Sequence, residues 1–264
     1  MSEIERILVA VAMESEAVHL RRLLADVEEE PVGRWRRSSG QLGGTAVDLL
    51  ISGIGLAYSA GATTAALMDR RPSAVLNYGC AGAHRIDIHA GDVIVASTVA
   101  HLASYVHRPD GTKHLFGFRV GEDESHRHFD QLPTDRELVE RARRAASELE
   151  LPRWPGRDAE PGFHYGPVGS ADVWTQHVDT IGELHAAHNT LCEDMEAAAI
   201  GQICALFGVP FLTIKDISNN ELQKATAFAG ADSGEGLLDD VVDQVGLRAA
   251  LLTAATISGY EESR

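Results

Sequence analysis

Cysteine is scarce in this chain. Cys80, Cys192 and Cys204 are odd in number and form no C-x-x-C pair. A disulfide framework is therefore excluded, and the reducing cytoplasm is the expected compartment. Positive charge is also short. Lys plus Arg total 23 against 39 Asp plus Glu, a formal net charge of −16. Nucleic acid and anionic membrane surfaces need clustered positive charge, so no nucleic acid and no membrane is expected as a partner. No apolar run approaches the roughly 20 residues that span a bilayer. The acidic start Ser2-Glu3-Ile4-Glu5 lacks the basic segment of a secretory leader, so none is expected.

What is present is ordinary for a globular chain. The 264 residues are 44% apolar and 23% charged, enough to bury a sizeable core. Short apolar runs alternate with helical stretches. Ile7–Met13, Val47–Ser52, Ser73–Asn77, Asp92–Ser97 and Phe211–Ile217 read as strands. Their near-continuous Val, Ile and Leu content suits strands covered on both faces. Ala57–Met68, Met195–Phe207 (ended by Gly208) and Leu237–Ile257 read as helices. The pattern predicts an α/β fold with a largely parallel sheet, in one domain over residues 1–264. Leu102–Leu132 reads as a loop excursion. Thr134-Asp135-Arg136-Glu137 has the spacing of a capping box opening a helix to about Glu150, and Pro152–Gly162 reads as a surface loop.

Three segments carry polar groups at strand ends, where open α/β sheets bind ligands. Ala12-Met13-Glu14-Ser15-Glu16 follows the first strand; its ordinary explanation is an acidic helix start favoured by the dipole. Ser52-Gly53-Ile54-Gly55 and Asn77-Tyr78-Gly79-Cys80-Ala81-Gly82-Ala83 read as small-residue turns that let backbone N–H groups approach a ligand. Neither is a dinucleotide or P-loop fingerprint, and no cofactor is expected. Cys80 reads as a small buried residue rather than a nucleophile. Glu193-Asp194-Met195-Glu196 and then Lys215-Asp216-Ile217-Ser218-Asn219-Asn220 place charge beside apolar runs, which costs desolvation unless it is used.

In combination these segments resemble the nucleoside phosphorylase superfamily, and within it the methylthioadenosine/S-adenosylhomocysteine nucleosidases. The A-M-E-x-E start, the S-G-I-G turn, the N-x-G-x-A-G segment, the M-E-x-x-A-I helix and the G-V-P-F-x-x-x-K-x-I-S-N strand follow the family's order over roughly Ile7 to Asn220. The resemblance implies a three-layer α/β/α sandwich around a curved mixed sheet, a homodimer, and a purine nucleoside substrate, with a 5′-modified nucleoside as the family's usual form. It places the water-polarising glutamate on Glu16 and the ribose-holding glutamate on Glu196. Met13 and Met195 would line the ribose, Ile54 would flank the nucleoside, and Cys80 would replace the family's small polar residue. Asp194, Lys215 and Ser218 complete the substrate-binding set. Trp174 falls where the family stacks the base or beside that place; its ordinary explanation is a core tryptophan. The strand-end general acid falls on Asn219, a departure, since an amide has no acidic proton. Asn219 can still donate an N–H to a purine N7, and to O6 of a 6-oxopurine. Futalosine hydrolases of the family share this Asn.

Four outcomes stay open: a nucleosidase for 6-aminopurines, a futalosine-type 6-oxopurine nucleosidase, a phosphate-dependent phosphorylase, and a non-catalytic nucleoside binder. Asn77 stands where phosphorylases tend to carry a phosphate-binding Arg, and Glu14 and Glu16 would repel phosphate, so water is the expected nucleophile. His101, His107, His114, His126 and His128 crowd the excursion, but no H-E-x-x-H or His/Cys spacing is present, and no metal site is expected.

Overall fold

The computed structural model describes residues 6–121, 127–224 and 241–259. The elements run β1 (Arg6–Val11), α1 (Glu14–Arg21), β2 (Ala25–Val32), β3 (Trp35–Leu42), β4 (Thr45–Ile51), α2 (Leu56–Asp69), β5 (Ala74–Ala83), β6 (Val93–His101), β7 (Tyr105–His107), β8 (Lys113–Leu115), β9 (Phe118–Val120), β10 (Arg127–Phe129), β11 (Leu132–Pro133), α3 (Arg136–Glu148), β12 (Phe163–Ser170), α4 (Val178–His188), β13 (Cys192–Asp194), α5 (Ala197–Phe207), β14 (Phe211–Asn219) and α6 (Leu247–Ser258).

One ten-stranded mixed sheet holds the molecule together. Its parallel pairs are β1 with β4 and β5, β5 with β14, and β12 with β6 and β13. The buried runs Ile7–Val11 and Phe211–Ile217 have the apolar composition of strands covered on both faces. Two apolar layers flank the sheet. Residues of α1, α3 and α6, including Leu20, Leu138, Ala142 and Leu252, pack on one side. Residues of α2 and α5, including Ala62, Ala66, Ile200 and Cys204, pack on the other. This is the three-layer arrangement that the resemblance implies.

The curvature has a specific form. β5 pairs with β14, β14 with β6, β6 with β12, β12 with β13, and β13 back with β5. Five strands thus close a ring, and the last three residues of β5, Ala81–Ala83, are the part of it that pairs with β13 and the end of β14.

Several boundaries differ from the sequence expectations. Asn77–Ala83 is not a turn. β5 continues through it, because β14 and β13 supply ladder partners as far as Ala83. β14 likewise extends two residues beyond Ile217, to Asn219. α5 starts at Ala197 rather than Met195, and Gly208 ends it at φ 62°. The closing helix starts at Leu247, ten residues later than expected; the part of that expectation over residues 237–240 lies outside the described residues. The cap of α3 is Asp135, which accepts from Leu138 N, and not Thr134, whose hydroxyl donates to Ala96 O and Ser97 O. The 102–132 excursion contains two small antiparallel pairs, β7–β8 and β9–β10. β2, β3, β12, β13 and α4 had no expectation. β2 is mostly exposed and charged, and β12 contains Gly and Pro, so neither carries an apolar run.

Candidate active site

The site grows from the end of β1. The chain leaves Val11, and Glu16 falls in the first turn of α1. Such a residue would ordinarily face water, yet Glu16 is 1% exposed. Its carboxylate turns in toward β5: Oε1 accepts from Cys80 N at 2.8 Å and Oε2 from Met13 N at 3.1 Å. Tyr78 fixes the same turn by donating its hydroxyl to Glu16 O at 2.7 Å. Gly79 leaves the room. A Cβ there would lie 2.7 Å from Glu16 Oε1, so any side chain at position 79 would displace the carboxylate. Burial pushes the pKa of Glu16 up, against the pull of the two N–H groups and the charge of Lys215.

Glu196 approaches from the opposite side. It is the N-cap residue of α5, and its Oε1 accepts from Gly55 N at 3.0 Å. The same Ser52–Gly55 turn is tied down by Asp172, which accepts from Leu56 N at 2.7 Å. Burial, then the neighbouring Asp194 charge, raises the pKa of Glu196. Beneath both carboxylates lies the pair Lys215–Asp194, Nζ to Oδ2 2.6 Å. Asp194 also caps α5 by accepting from Ala197 N at 3.0 Å. Burial alone would lower the pKa of Lys215, but the charges of Asp194, Glu196 and Glu16 raise it.

Between these groups is a cavity of about 210 Å³, lined by Ala12, Met13, Glu16, Ile54, Cys80, Ala81, Gly82, Val173, Trp174, Glu193, Asp194, Met195 and Glu196. Cys80 keeps some surface at the cavity. Burial, with Glu16 and Glu196 beside it, pushes its thiol well above the ordinary value, which disfavours the thiolate a nucleophile needs. The arrangement presents four buried carboxylates, Glu16, Glu193, Asp194 and Glu196, with apolar walls and one aromatic ring.

Residues 6–258 match the family model described as "Phosphorylase superfamily". The chain belongs to the phosphorylase superfamily. A 5′-methylthioadenosine/S-adenosylhomocysteine nucleosidase of Geobacillus kaustophilus is 30% identical over 258 residues, 96% of this chain and 97% of that protein. The Neisseria meningitidis nucleosidase of the same name, solved in complex with methylthio-immucillin-A, superposes with a TM-score of 0.77 at 25% identity, covering 97% of this chain and 99% of that one. A futalosine hydrolase of Helicobacter pylori has the same fold, with a TM-score of 0.77 at 21% identity over 96% of this chain and 97% of that one.

In this superfamily member, eight of the eleven residues singled out in the sequence line one cavity: Glu16, Glu196, Met13, Ile54, Cys80, Trp174, Asp194 and Met195. The other three stand behind its wall. Lys215 is enclosed with Asp194. Ser218 Oγ donates to Asn219 Oδ1 at 3.0 Å and to Ala81 O at 3.3 Å. Asn219 Nδ2 donates to Glu221 Oε1 at 3.2 Å. Asp216, next to Lys215 on β14, points to the opposite face and accepts from Arg248 N at 3.0 Å. Asn77 is buried, donating to Ala10 O and accepting from Thr213 Oγ1. Of the excursion histidines, His101 accepts from Ala103 N and His128 Nε2 lies 2.7 Å from Phe116 O. His107 and His114 are exposed, and His126 lies outside the described residues.

Sequence reasoning missed Glu193, Thr175 and His84. Glu193 accepts from Thr175 N at 2.6 Å and Thr175 Oγ1 at 3.0 Å. His84 Nδ1 is 2.8 Å from Thr190 Oγ1, and its Nε2 lies 3.2 Å from Glu193 Oε2 without the alignment of a hydrogen bond. The only signal was an acidic pair, Glu193-Asp194, inside an apolar stretch.

Proposed function

We propose that this protein is a purine nucleosidase that hydrolyses the N-ribosidic bond of a 5′-modified purine nucleoside. The observation that carries the proposal is the placing of Glu16 and Glu196, from two distant segments, among the four buried carboxylates of one cavity. Glu16 takes a proton from water as it adds to the anomeric carbon; burial raises its pKa, which makes it a stronger base than an exposed carboxylate. Glu196 has one oxygen on Gly55 N and accepts from the ribose 2′- and 3′-hydroxyls with the other. Both charges stabilise the positive ring that forms as the base leaves. Trp174 stacks on the base, an interaction of about 1–3 kcal/mol. Met13, Met195 and Ile54 enclose the sugar, and Asn219 donates to N7. Asp194, Lys215 and Ser218 hold this constellation from behind. The nucleosidase relative at 30% identity over nearly the whole chain supports the same reaction.

Water is favoured over phosphate because buried Asn77 offers no cation and Glu16 places negative charge at the nucleophile's position. We infer a homodimer in the cytoplasm. Exposed Ile54, Tyr58, Val173 and Val178 gather on segments around the cavity mouth, and all three cysteines are free. The deciding experiment is release of free base from inosine, adenosine and their 5′-methylthio forms, with and without phosphate. Release in phosphate-free buffer is expected. Strict phosphate dependence would make it a phosphorylase, and binding without turnover a binder. Sedimentation of the purified protein tests the dimer.

A further inference from the structure

By the alternation of a strand, the face of β14 that meets α6 runs Leu212, Ile214, Asp216. Leu212 and Ile214 belong to the apolar layer that α6 covers. Asp216 breaks that row with a carboxyl group, and the residue is 1% exposed. Its Oδ2 accepts from Arg248 N at 3.0 Å, and among the described residues its Oδ1 has no partner. The Arg248 guanidinium does not close on it, for Nη1 stands 3.7 Å from Oδ2. That guanidinium donates instead to Pro152 O, Arg153 O and Gln244. A buried carboxyl group with an unpaired oxygen costs folding free energy that an apolar residue would not. Packing alone does not explain an acid there.

α6 opens on Gly246, which sits at φ 78° and has no side chain to cap the helix. Arg248 is the second residue of α6, and its N–H is one that an N-cap side chain would satisfy. Asp216 takes that role from β14, 32 residues away. One residue before the cap, Val245 O accepts from His19 Nε2 of α1 at 3.2 Å. The turn from Val245 to Arg248 is thus tied to α1 at one end and to β14 at the other. Glu16 meets this turn. A Cβ on Gly246 would lie 3.1 Å from Glu16 Cγ and 3.3 Å from its Cβ, so the glycine backbone is seated against the stem of the carboxylate. Glu16 Oε1 in turn meets Cys80 N, and Cys80 is the register partner of Asp216.

We infer that Asp216 is a positioning residue for Glu16: by capping α6 from β14 it seats Gly246 against the Glu16 stem and keeps the carboxylate on Cys80 N. This inference rests on the nucleosidase reading above, in which Glu16 is the base, and adds a residue that stands outside the cavity wall. A base must be held close to its productive geometry, and a displacement of about 1 Å can cost roughly 10²-fold in rate. Release of the α6 start frees space beside Cβ and Cγ of Glu16 and lets the carboxylate turn away from Cys80 N. Burial raises the pKa of Asp216 to about 7, against the pull of Arg248. The cap survives protonation, because the carbonyl oxygen of a carboxylic acid still accepts. For the same reason an amide can stand in for it.

Asp216→Leu continues the apolar row of β14 and removes the cap, so its melting temperature should hold while its turnover falls. The expected loss in kcat is roughly 10–10²-fold, with the Kd of a non-hydrolysable nucleoside analogue within about twofold of wild type. Asp216→Asn should keep kcat within about threefold, since Asn caps as well as Asp. In a Glu16→Gln background, Asp216→Leu should lower the residual rate by less than about twofold, because both changes act on one group. Crystal structures of the wild type and Asp216→Leu read the positioning without turnover: the hydrogen bond from Cys80 N to Glu16 Oε1 should be lost in the variant. Undiminished kcat in Asp216→Leu, or an equal loss with and without Glu16, overturns the inference. So does failure of both Asp216→Leu and Asp216→Ala to fold, which would make Asp216 a residue of stability. A displaced Glu16 carboxylate in Asp216→Leu, with no base released by the wild type, upholds the positioning and overturns the nucleosidase reading.

Discussion

Lys215 Nζ lies 2.6 Å from Asp194 Oδ2, with both side chains 1% exposed, directly behind Glu16 and Glu196. Three acidic groups, Glu16, Asp194 and Glu196, share this one buried cation, and its charge lowers the pKa of both Glu16 and Glu196 against their burial. A lone buried charge is expensive, and a buried pair broken on one side costs about 3–5 kcal/mol. Lys215→Met is therefore expected to lower stability by about that amount, measured by denaturant unfolding. In the protein that remains folded, Glu16 loses an attractive charge and its pKa rises further. A base works only when deprotonated, so the acid limb of the kcat/KM profile should move to higher pH.

Glu16→Gln keeps the shape of the side chain and removes the base. Turnover is expected to fall by roughly 10²–10⁴-fold. Binding of a non-hydrolysable nucleoside analogue should persist, because Gly79, Cys80 and Met13 still frame the position. Single-turnover kinetics and calorimetry separate the two effects. Turnover at the wild-type rate would remove Glu16 from the mechanism.

The ribose contact proposed for Glu196 predicts discrimination by sugar. A carboxylate accepts from two hydroxyls, and charge-assisted hydrogen bonds are about twice as strong as neutral ones. Wild-type protein should lose at least about tenfold in kcat/KM on a 2′-deoxynucleoside, and Glu196→Gln should narrow that gap. Equal use of the ribo and deoxy forms by the wild type would rule out this role.

Asp92, at the head of β6, anchors the 152–162 loop. Its carboxylate accepts from Gly162 N at 2.7 Å, His89 N at 2.9 Å and Arg157 at 2.7 Å, and faces His164 Nε2 at 3.1 Å. Burial alone would raise its pKa, but these partners hold it well below the ordinary carboxylate range. A depressed folded-state pKa contributes stability that is present above the unfolded value of about 3.9 and is lost as pH falls through the folded value. Asp92→Ala should cost about 3 kcal/mol at neutral pH. The difference between variant and wild type should shrink as unfolding is followed below about pH 4.

The sequence by itself determined the most apolar of the local elements and singled out most of the side chains that line the cavity. Ile7–Val11 and Phe211–Ile217 are legible as strands because a buried strand needs a continuous apolar run, and α2 because its Ala-rich stretch has no competing signal. Glu16 and Glu196 were legible because charge beside such runs stands out, and their order along the chain matches a family pattern. The tertiary structure alone decided where small and polar segments go. Asn77–Ala83 reads as a turn from its glycines, yet it is a strand because β13 and β14 satisfy its backbone from 109 to 137 residues away. Glu193 looked like half of a solvated acidic pair until that pairing set it level with Gly82 and Asn219. Register between distant strands depends on hydrogen bonds and packing that close only when the whole ring of β5, β14, β6, β12 and β13 forms. A local window contains neither partner, so the side chains that line the cavity beside Gly82 are a property of that closure.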